Sequence, residues 1–177
     1  MKKTGIFCLF LFIISACETE IKNDDVTIID DSIISIIDKS SKIEIIADSL
    51  IVSEGPLWDE NSKSLIFTDV AQNKMFTWNE KEGVQDFIKP SGYTGYSPAF
   101  EEGLNGANGI TFNKSGDIVI CQHGDRRVAL IANQKTNDPI FTTIIDNYEG
   151  KKFNSPNDLS IASNGDIYFT DPPYGFF

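Results

Sequence analysis

A strand-turn-strand unit occurs three times along the chain, and this repeat restricts the fold more than any other feature. In each copy an aliphatic residue opens the first strand, and the residue that opens the second strand follows eight positions later. The first strands open at Leu57, Ile110 and Leu159, which lie 53 and 49 residues apart. Repeats of about 50 residues with several short strands are typical of a β-propeller rather than of a helical solenoid.

The rest of the chain is also dominated by strand-forming and turn-forming residues. Ile43 to Ile46 reads as a strand, and no stretch has the periodicity of an amphipathic helix. The chain is 41% hydrophobic and 23% charged, which is ordinary for a globular protein. Propellers close with about 4–8 blades, whereas this chain holds about three blade starts. We therefore expect an all-β fold, with residues 43–177 forming a partial propeller that is truncated at its C-terminus.

The N-terminus has the pattern of a targeting segment. Lys2 and Lys3 precede an apolar run of nine residues, Ile6 to Ile14, which is too short for the roughly 20 residues of a membrane-spanning helix. The sequence Ile14-Ser15-Ala16-Cys17 looks like a bacterial lipobox. We expect residues 1–16 to be a lipoprotein signal peptide, Cys17 to be lipidated and residues 17–42 to form a tether, which would anchor the protein outside the cytoplasm in a bacterial cell envelope. The alternative is that Cys17 merely lies near an ordinary cleavage site.

Charge and cysteine content exclude several classes of partner and cross-link. The formal net charge is −11, and the acidic residues are scattered, which argues against nucleic acid and anionic membrane surfaces as partners. A bound cation is compatible with this charge. Loss of Cys8 with the signal peptide and lipidation of Cys17 leave only Cys121, so no internal disulfide can form. We expect Cys121 to be a buried, unreactive thiol.

A short polar segment stands before each copy of the repeat and supplies candidate ligands. Glu54 precedes the first copy, Asn108 the second and Asn157 the third. If the copies are blades, these positions converge on the central channel. One carboxylate and two carboxamides would make an oxygen-rich site suited to Ca²⁺ or Mg²⁺. The alternative is local, because Asn-Gly and Pro-Asn-Asp sequences are common turn formers.

Other polar and aromatic residues have structural interpretations. His123 is the only histidine and titrates near neutrality; it either shapes the loop after a strand or faces the substrate. Asp69 and Asp171 stand at matching strand ends, which favours a structural role such as closing a turn. Trp58 and Trp78 are expected to pack in the core or between blades.

Several of these segments together resemble the gluconolactonase superfamily, which includes regucalcin and luciferin-regenerating enzyme. The resemblance runs from about residue 43 to residue 177 and rests on five motifs: Glu54-Gly55-Pro56-Leu57-Trp58, Ala107-Asn108-Gly109, Cys121-Gln122-His123-Gly124-Asp125-Arg126-Arg127-Val128, Ser155-Pro156-Asn157-Asp158-Leu159 and Tyr168-Phe169-Thr170-Asp171-Pro172. It implies a six-bladed propeller in the complete protein, one divalent cation in the central channel and hydrolysis of sugar lactones or related esters.

The resemblance also assigns roles to individual residues. Glu54 and Asn157 match metal ligands, and Asn108 matches an asparagine that faces the substrate. Ca²⁺ is the expected ion, with Zn²⁺ or Mg²⁺ as alternatives. Gly106 stands where some animal members have an arginine that contacts the sugar. The family's aspartate that binds the metal and acts as general base belongs to a later blade, so we expect no catalytic residue in this chain. The rival hypothesis is a non-catalytic propeller that binds a sugar or a protein and keeps the metal for structure.

Overall fold

The computed structural model describes residues 28–38, 41–98, 103–132 and 139–174. The chain divides into two compact units, residues 1–45 and residues 46–177. The described part of the first unit contains a five-residue 3₁₀ helix, Asp31–Ser35, whose first turn is capped by the Asp30 carboxylate through the Ser32 amide. Across the described ranges, no helix has the length and apolar character that crossing a membrane requires. The segment predicted as a signal peptide and Cys17 lie outside the described residues.

The strand predicted at Ile43 to Ile46 is not formed. No strand is present between residues 41 and 50, and Ile43 and Ile45 are 52% and 75% exposed. Their residue types favour a strand, but no neighbouring strand pairs with this segment, so that prediction was wrong.

The first sheet contains four antiparallel strands in chain order. These are β1 Ser53–Asp59, β2 Ser64–Asp69, β3 Lys74–Asn79 and β4 Gly83–Ile88. Three tight turns connect them, so each strand pairs with the next one along the chain. This meander is the predicted first repeat with two further strands added to it.

The second sheet repeats this arrangement with four antiparallel strands in chain order. Its strands are β5 Ala107–Phe112, β6 Ile118–Gln122, β7 Arg127–Ala132 and β8 Ile140–Ile145. The β5–β6 turn is built around Asn113, whose side-chain oxygen accepts hydrogen bonds from the amides of Ser115 and Asp117 at 2.9 Å each. Asp117 therefore belongs to the turn, where Asp is a common residue type.

Two short hairpins follow the second sheet. The first pairs β9 Asn147–Tyr148 with β10 Lys151–Lys152, and the second pairs β11 Leu159–Ile161 with β12 Ile167–Phe169. The second of these is the third copy of the sequence repeat. Its turn again uses an asparagine, because Asn164 accepts the amide of Asp166 at 3.0 Å.

The core lies between successive sheets. Aliphatic side chains of both sheets form one buried cluster: Ile66, Met75, Ile88, Ala107, Ile110, Ile118, Ile120, Ala129 and Ile131. A second cluster of Val119, Cys121 and Val128 packs against the β11–β12 hairpin through Leu159, Ile161, Ile167 and Phe169. The two sheets and the hairpin therefore stack in chain order. This arrangement confirms the all-β prediction and is consistent with a partial propeller; the number six remains a prediction.

Two residues singled out in the sequence differ in how well they were predicted. Cys121 is a free and fully buried cysteine, as expected, and burial raises the pKa of its thiol, with smaller contributions from Asp158 and Asp171. Trp58, in contrast, is 47% exposed and donates its indole N–H to Glu60. It pairs with Leu65, which lies on the opposite face of β2 from the core residue Ile66. Its prediction as a core residue was therefore wrong, and the alternative of packing between blades stays a prediction.

Candidate metal and substrate site

The first strands of the two sheets are interrupted at the same point, next to the predicted site residues. Glu54 lies opposite Thr68 of β2, and the ladder then shifts register before Leu57. The corresponding shift in β5 falls between Ala107 and Ile110 and so includes Asn108. A bulge of this kind bends the strand and redirects a side chain. Glu54 therefore stands at the edge of one bulge and Asn108 lies inside the other.

Asn108 and Asn157 are in direct contact. The Asn108 side-chain amide donates a hydrogen bond to the Asn157 side-chain oxygen at 2.8 Å. The neighbouring amide of Gly109 donates to the backbone oxygen of Asn157 at 2.7 Å. Asn108 is 7% exposed and Asn157 is half-buried. The second sheet and the third repeat are thus joined at the two asparagines that the sequence places in equivalent positions.

The first sheet reaches the same place through Gly55 and Thr68. The Thr68 hydroxyl donates to the backbone oxygen of Asn108 at 3.0 Å. Gly55 has a φ of +53°, and a Cβ atom there would lie 2.6 Å from the same oxygen. Only glycine fits this close approach without strain. Glu54, which precedes Gly55 and pairs with Thr68, is therefore brought next to the Asn108 segment.

The side chains at this site offer oxygen donors to a cation. Among the described residues, no hydrogen bond or ion pair engages the exposed Glu54 carboxylate. The Asn157 side-chain oxygen accepts one hydrogen bond, and an amide oxygen has a second lone pair. Carboxylate and amide oxygens are the ligands that hard divalent cations prefer. This donor set fits such an ion, although the described ranges contain no group of three or more Asp, Glu, His or Cys residues placed to hold one.

His123 lies directly after β6 and is 2% exposed. Burial lowers the pKa of its imidazole, and the nearby Asp171 carboxylate opposes that shift. Its backbone oxygen accepts the Arg126 amide at 3.2 Å, which closes the loop between β6 and β7. This bond fits the loop-shaping interpretation, and substrate contact by His123 stays a prediction.

The two repeated aspartates have the structural role predicted for them. Asp69 accepts hydrogen bonds from the backbone amides of Ile51, Val52, Ala71 and Gln72. Asp171 accepts the backbone amides of Asn154 and Ser155. Both carboxylates therefore hold loop backbone at the ends of their strands.

Sequence reasoning missed the charged cluster that supports the loop ahead of Asn108. The Asp125 carboxylate accepts the amides of Thr94 and Tyr96 at 3.1 Å each. Arg127 is 3.4 Å from Asp125, and its guanidinium lies 3.9 Å from the centre of the Tyr96 ring. Burial lowers the pKa of Arg127, which the neighbouring Asp125 opposes. The sequence did contain a signal, since Asp125 and Arg127 are separated by one residue and carry opposite charges. Buried charges need partners, so such a pair next to a buried strand could have been predicted to form an ion pair.

Comparison with known proteins agrees with this architecture. The family model described as the SMP-30/gluconolactonase/LRE-like region matches residues 52–176. A gluconolactonase of Zymomonas mobilis subsp. mobilis is 40% identical over 144 residues, which is 80% of this chain and 39% of that protein.

Solved structures show the same relationship. A gluconolactonase from Xanthomonas campestris superposes with a TM-score of 0.60 at 28% identity, covering 73% of this chain and 38% of that one. A second gluconolactonase-type structure gives 0.59 at 33% identity, with coverage of 73% and 39%. The chain thus spans less than half the length of each relative. The matched repeats, strands and site residues lie within the family region, and the chain belongs to the SMP-30/gluconolactonase/LRE-like family.

Proposed function

We propose that the protein hydrolyses a sugar lactone with the help of one divalent cation, held in part by Glu54 and Asn157. The observation that carries this proposal is the hydrogen bond between Asn108 and Asn157, beside the close contact of Gly55 with Asn108. It supports a site that three successive repeats build together. The 40% identity to a gluconolactonase supports the substrate class.

Each residue has a distinct task in this proposal. A bound cation would polarise the lactone carbonyl and lower the pKa of a water molecule. Glu54 and Asn157 hold the ion through oxygen atoms, with Ca²⁺ as the first candidate and Zn²⁺ or Mg²⁺ as alternatives. Asn108 orients the substrate by hydrogen bonding, and His123 is a second proposed substrate contact. Proton transfer is assigned to an aspartate of a later blade, as the family resemblance implies.

The test measures lactone hydrolysis in the purified complete protein, which includes the later blade that carries this aspartate. After treatment with a chelator, proton release from gluconolactone should be lost, and one of Ca²⁺, Zn²⁺ or Mg²⁺ should restore it. Glu54→Gln should reduce the restored kcat/KM at least tenfold, since it removes the charged ligand. Glu60→Gln is the matched control, because Glu60 pairs with Lys63 at the far end of β1. Full activity in the chelated protein, or in Glu54→Gln, would refute the metal assignment.

A non-catalytic propeller that binds a sugar or a protein is the second candidate. It keeps the metal for structure, and Glu54 and Asn157 would hold the ion in the same way. In that case the protein would bind a divalent cation and a sugar in calorimetry without turning over any lactone.

We further propose that a lipid anchor on Cys17 holds the protein at a membrane, and this sets where the reaction takes place. Acylation of Cys17 would hold residues 17–42 at the membrane as a tether in the bacterial cell envelope. Mass spectrometry of the mature N-terminal peptide should detect acyl chains on Cys17, and Cys17→Ser should move the protein from the membrane fraction to the soluble fraction. An unmodified mature N-terminus would exclude the anchor.

A further inference from the structure

Two aspartates at equivalent strand ends hold the backbone in the same way. The Oδ2 atom of Asp69 accepts the amide of Ile51 at 2.7 Å, and its Oδ1 atom accepts the amide of Val52 at 3.3 Å. The Oδ2 atom of Asp171 accepts the amide of Asn154 at 2.9 Å, and its Oδ1 atom accepts that of Ser155 at 2.7 Å. Each carboxylate therefore binds two consecutive amides, one with each oxygen.

We call each such arrangement, one carboxylate binding two consecutive amides, a two-amide clamp. The amides it holds lie at the same spacing along the sequence from each proposed metal ligand. Ile51 and Val52 come three and two residues before Glu54, and Asn154 and Ser155 come three and two residues before Asn157. Hydrogen bonds to an ionised carboxylate are shorter and stronger than neutral ones. A pair of them fixes both the position and the direction of the chain that leads to each ligand.

Among the described residues of the second sheet, no carboxylate binds two consecutive amides in this way, and the polar residue that follows is an asparagine with a different proposed role. Gln122 ends β6 at the position equivalent to Asp69 and Asp171. Its side chain instead donates to the Ser91 backbone oxygen at 2.8 Å and accepts from Arg127 at 2.6 Å. The polar residue at the bulge of this sheet's first strand is Asn108, the proposed substrate contact. The two-amide clamp thus precedes both proposed metal ligands and is absent before the substrate asparagine.

Further contacts reinforce each clamp. Asp69 is fully buried; burial would raise the pKa of its carboxyl, but the hydrogen bonds from Ile51, Gln72 and Val52 hold that pKa below its ordinary value. On the other side, the Arg126 side chain donates to the Phe153 backbone oxygen at 2.6 Å, just ahead of the segment held by Asp171. The backbone before Asn157 is therefore held by two repeats at once.

We propose that Asp69 and Asp171 are positioning residues that set the approach of Glu54 and Asn157 to a shared cation. This inference rests on the proposed function, since it assumes that Glu54 and Asn157 bind the ion. Neither aspartate touches the ion; each acts through the two amides it holds.

The test is the dissociation constant for Ca²⁺, measured by calorimetry in the purified protein. Asp171→Asn keeps one acceptor but places an NH₂ group against the second amide, so we expect affinity to fall at least tenfold. Asp171→Glu keeps the negative charge but displaces both oxygens, and it should also weaken binding several-fold. Asp166→Asn is the matched control, because it removes the same charge from the far end of the same hairpin and should change affinity less than twofold.

Amide hydrogen exchange gives a readout that does not depend on the ion. Exchange at Asn154 and Ser155 should accelerate in Asp171→Asn while exchange at Ile161 stays unchanged, and both variants should still melt cooperatively. Wild-type affinity in Asp171→Glu with reduced affinity in Asp171→Asn would overturn the inference in favour of a simple charge effect. Equal affinity in all forms, or loss of folding in both variants, would also overturn it. Absence of Ca²⁺, Zn²⁺ and Mg²⁺ binding by the unaltered protein would overturn the metal assignment and this inference together.

Discussion

The side-chain amide of Asn108 donates to the side-chain oxygen of Asn157 over 2.8 Å, which joins the second sheet to the third repeat. The bond is one of two between these segments, the other running from the Gly109 amide to the Asn157 backbone oxygen. A double-mutant cycle of Asn108→Ala and Asn157→Ala should therefore give a coupling of about 1 kcal/mol in the free energy of unfolding. Urea denaturation of the four proteins measures it. A coupling near zero would mean that the two side chains do not interact in solution.

The Thr68 hydroxyl donates to the buried backbone of Asn108, so its removal should be measurable. Thr68→Val preserves the shape of the side chain but leaves the Asn108 oxygen without this donor, which should cost about 1–3 kcal/mol of unfolding free energy. Thr77→Val on β3 is the control, because no side-chain hydrogen bond by Thr77 is found among the described residues, and it should cost less than about 0.5 kcal/mol. The two substitutions are compared in the same denaturation experiment, and equal costs would argue against the Thr68 bond.

Gly55 and Gly83 separate the cost of backbone strain from the cost of a steric clash. Both have positive φ angles, +53° and +65°, but a Cβ at Gly55 meets the Asn108 oxygen at 2.6 Å whereas nothing lies within 4 Å of one at Gly83. Gly83→Ala should cost about 1 kcal/mol for its left-handed backbone. Gly55→Ala should cost distinctly more and should also weaken metal binding. If thermal melting finds the two equally destabilised, the close packing of Gly55 on Asn108 is not maintained in solution.

His123 should make stability depend on pH in mildly acidic solution. Its pKa is lowered from 6.5 in the folded protein, chiefly by burial, with Asp171 opposing the shift. The unfolded chain therefore gains a proton near pH 6.5 while the folded protein stays neutral at that position until the pH is lower. Stability that is fully present above about pH 6.5 should be lost as the pH falls, by at most about 1.4 kcal/mol per pH unit.

The substitution His123→Gln should flatten this dependence between pH 6.5 and pH 5. The Asp69 carboxyl has a pKa lowered from 3.8, so its contribution to the free energy of unfolding is lost only below this pH range. It therefore does not affect the slope between pH 6.5 and pH 5. Urea titrations at several pH values test the slope, and an unchanged slope in the variant would exclude His123 as its source.

The sequence predicted the repeats well because their signals are local. The pairs Leu57 with Ile66, Ile110 with Ile120 and Leu159 with Phe169 all lie in the predicted hairpins. Alternation and turn residues are properties of neighbouring positions, and they determine a hairpin almost alone. The equivalence of Asn108 and Asn157 followed from the same register.

Features that depend on contacts between residues far apart in the sequence could not be predicted from local patterns. Ile43 to Ile46 has strand-forming residues but no partner strand, and Trp58 has an apolar ring on a sheet face that turns away from the core. The cluster of Asp125, Arg127 and Tyr96 depends on a loop folding back over 31 residues from Thr94 to Asp125. Burial and pairing of this kind are decided by tertiary packing, which residue propensities do not encode.

The bulges beside Glu54 and Asn108 have a consequence for how such a protein can change over time. Glu54 keeps its pairing with Thr68 at the edge of one bulge, whereas Asn108 lies inside the other and has no cross-strand partner in the β5–β6 ladder. Replacement of the exposed Glu54 side chain, which makes no hydrogen bond or ion pair among the described residues, should leave the sheet behind it intact. The identity of the residue at this edge can thus change without any rebuilding of the strand pairing behind it.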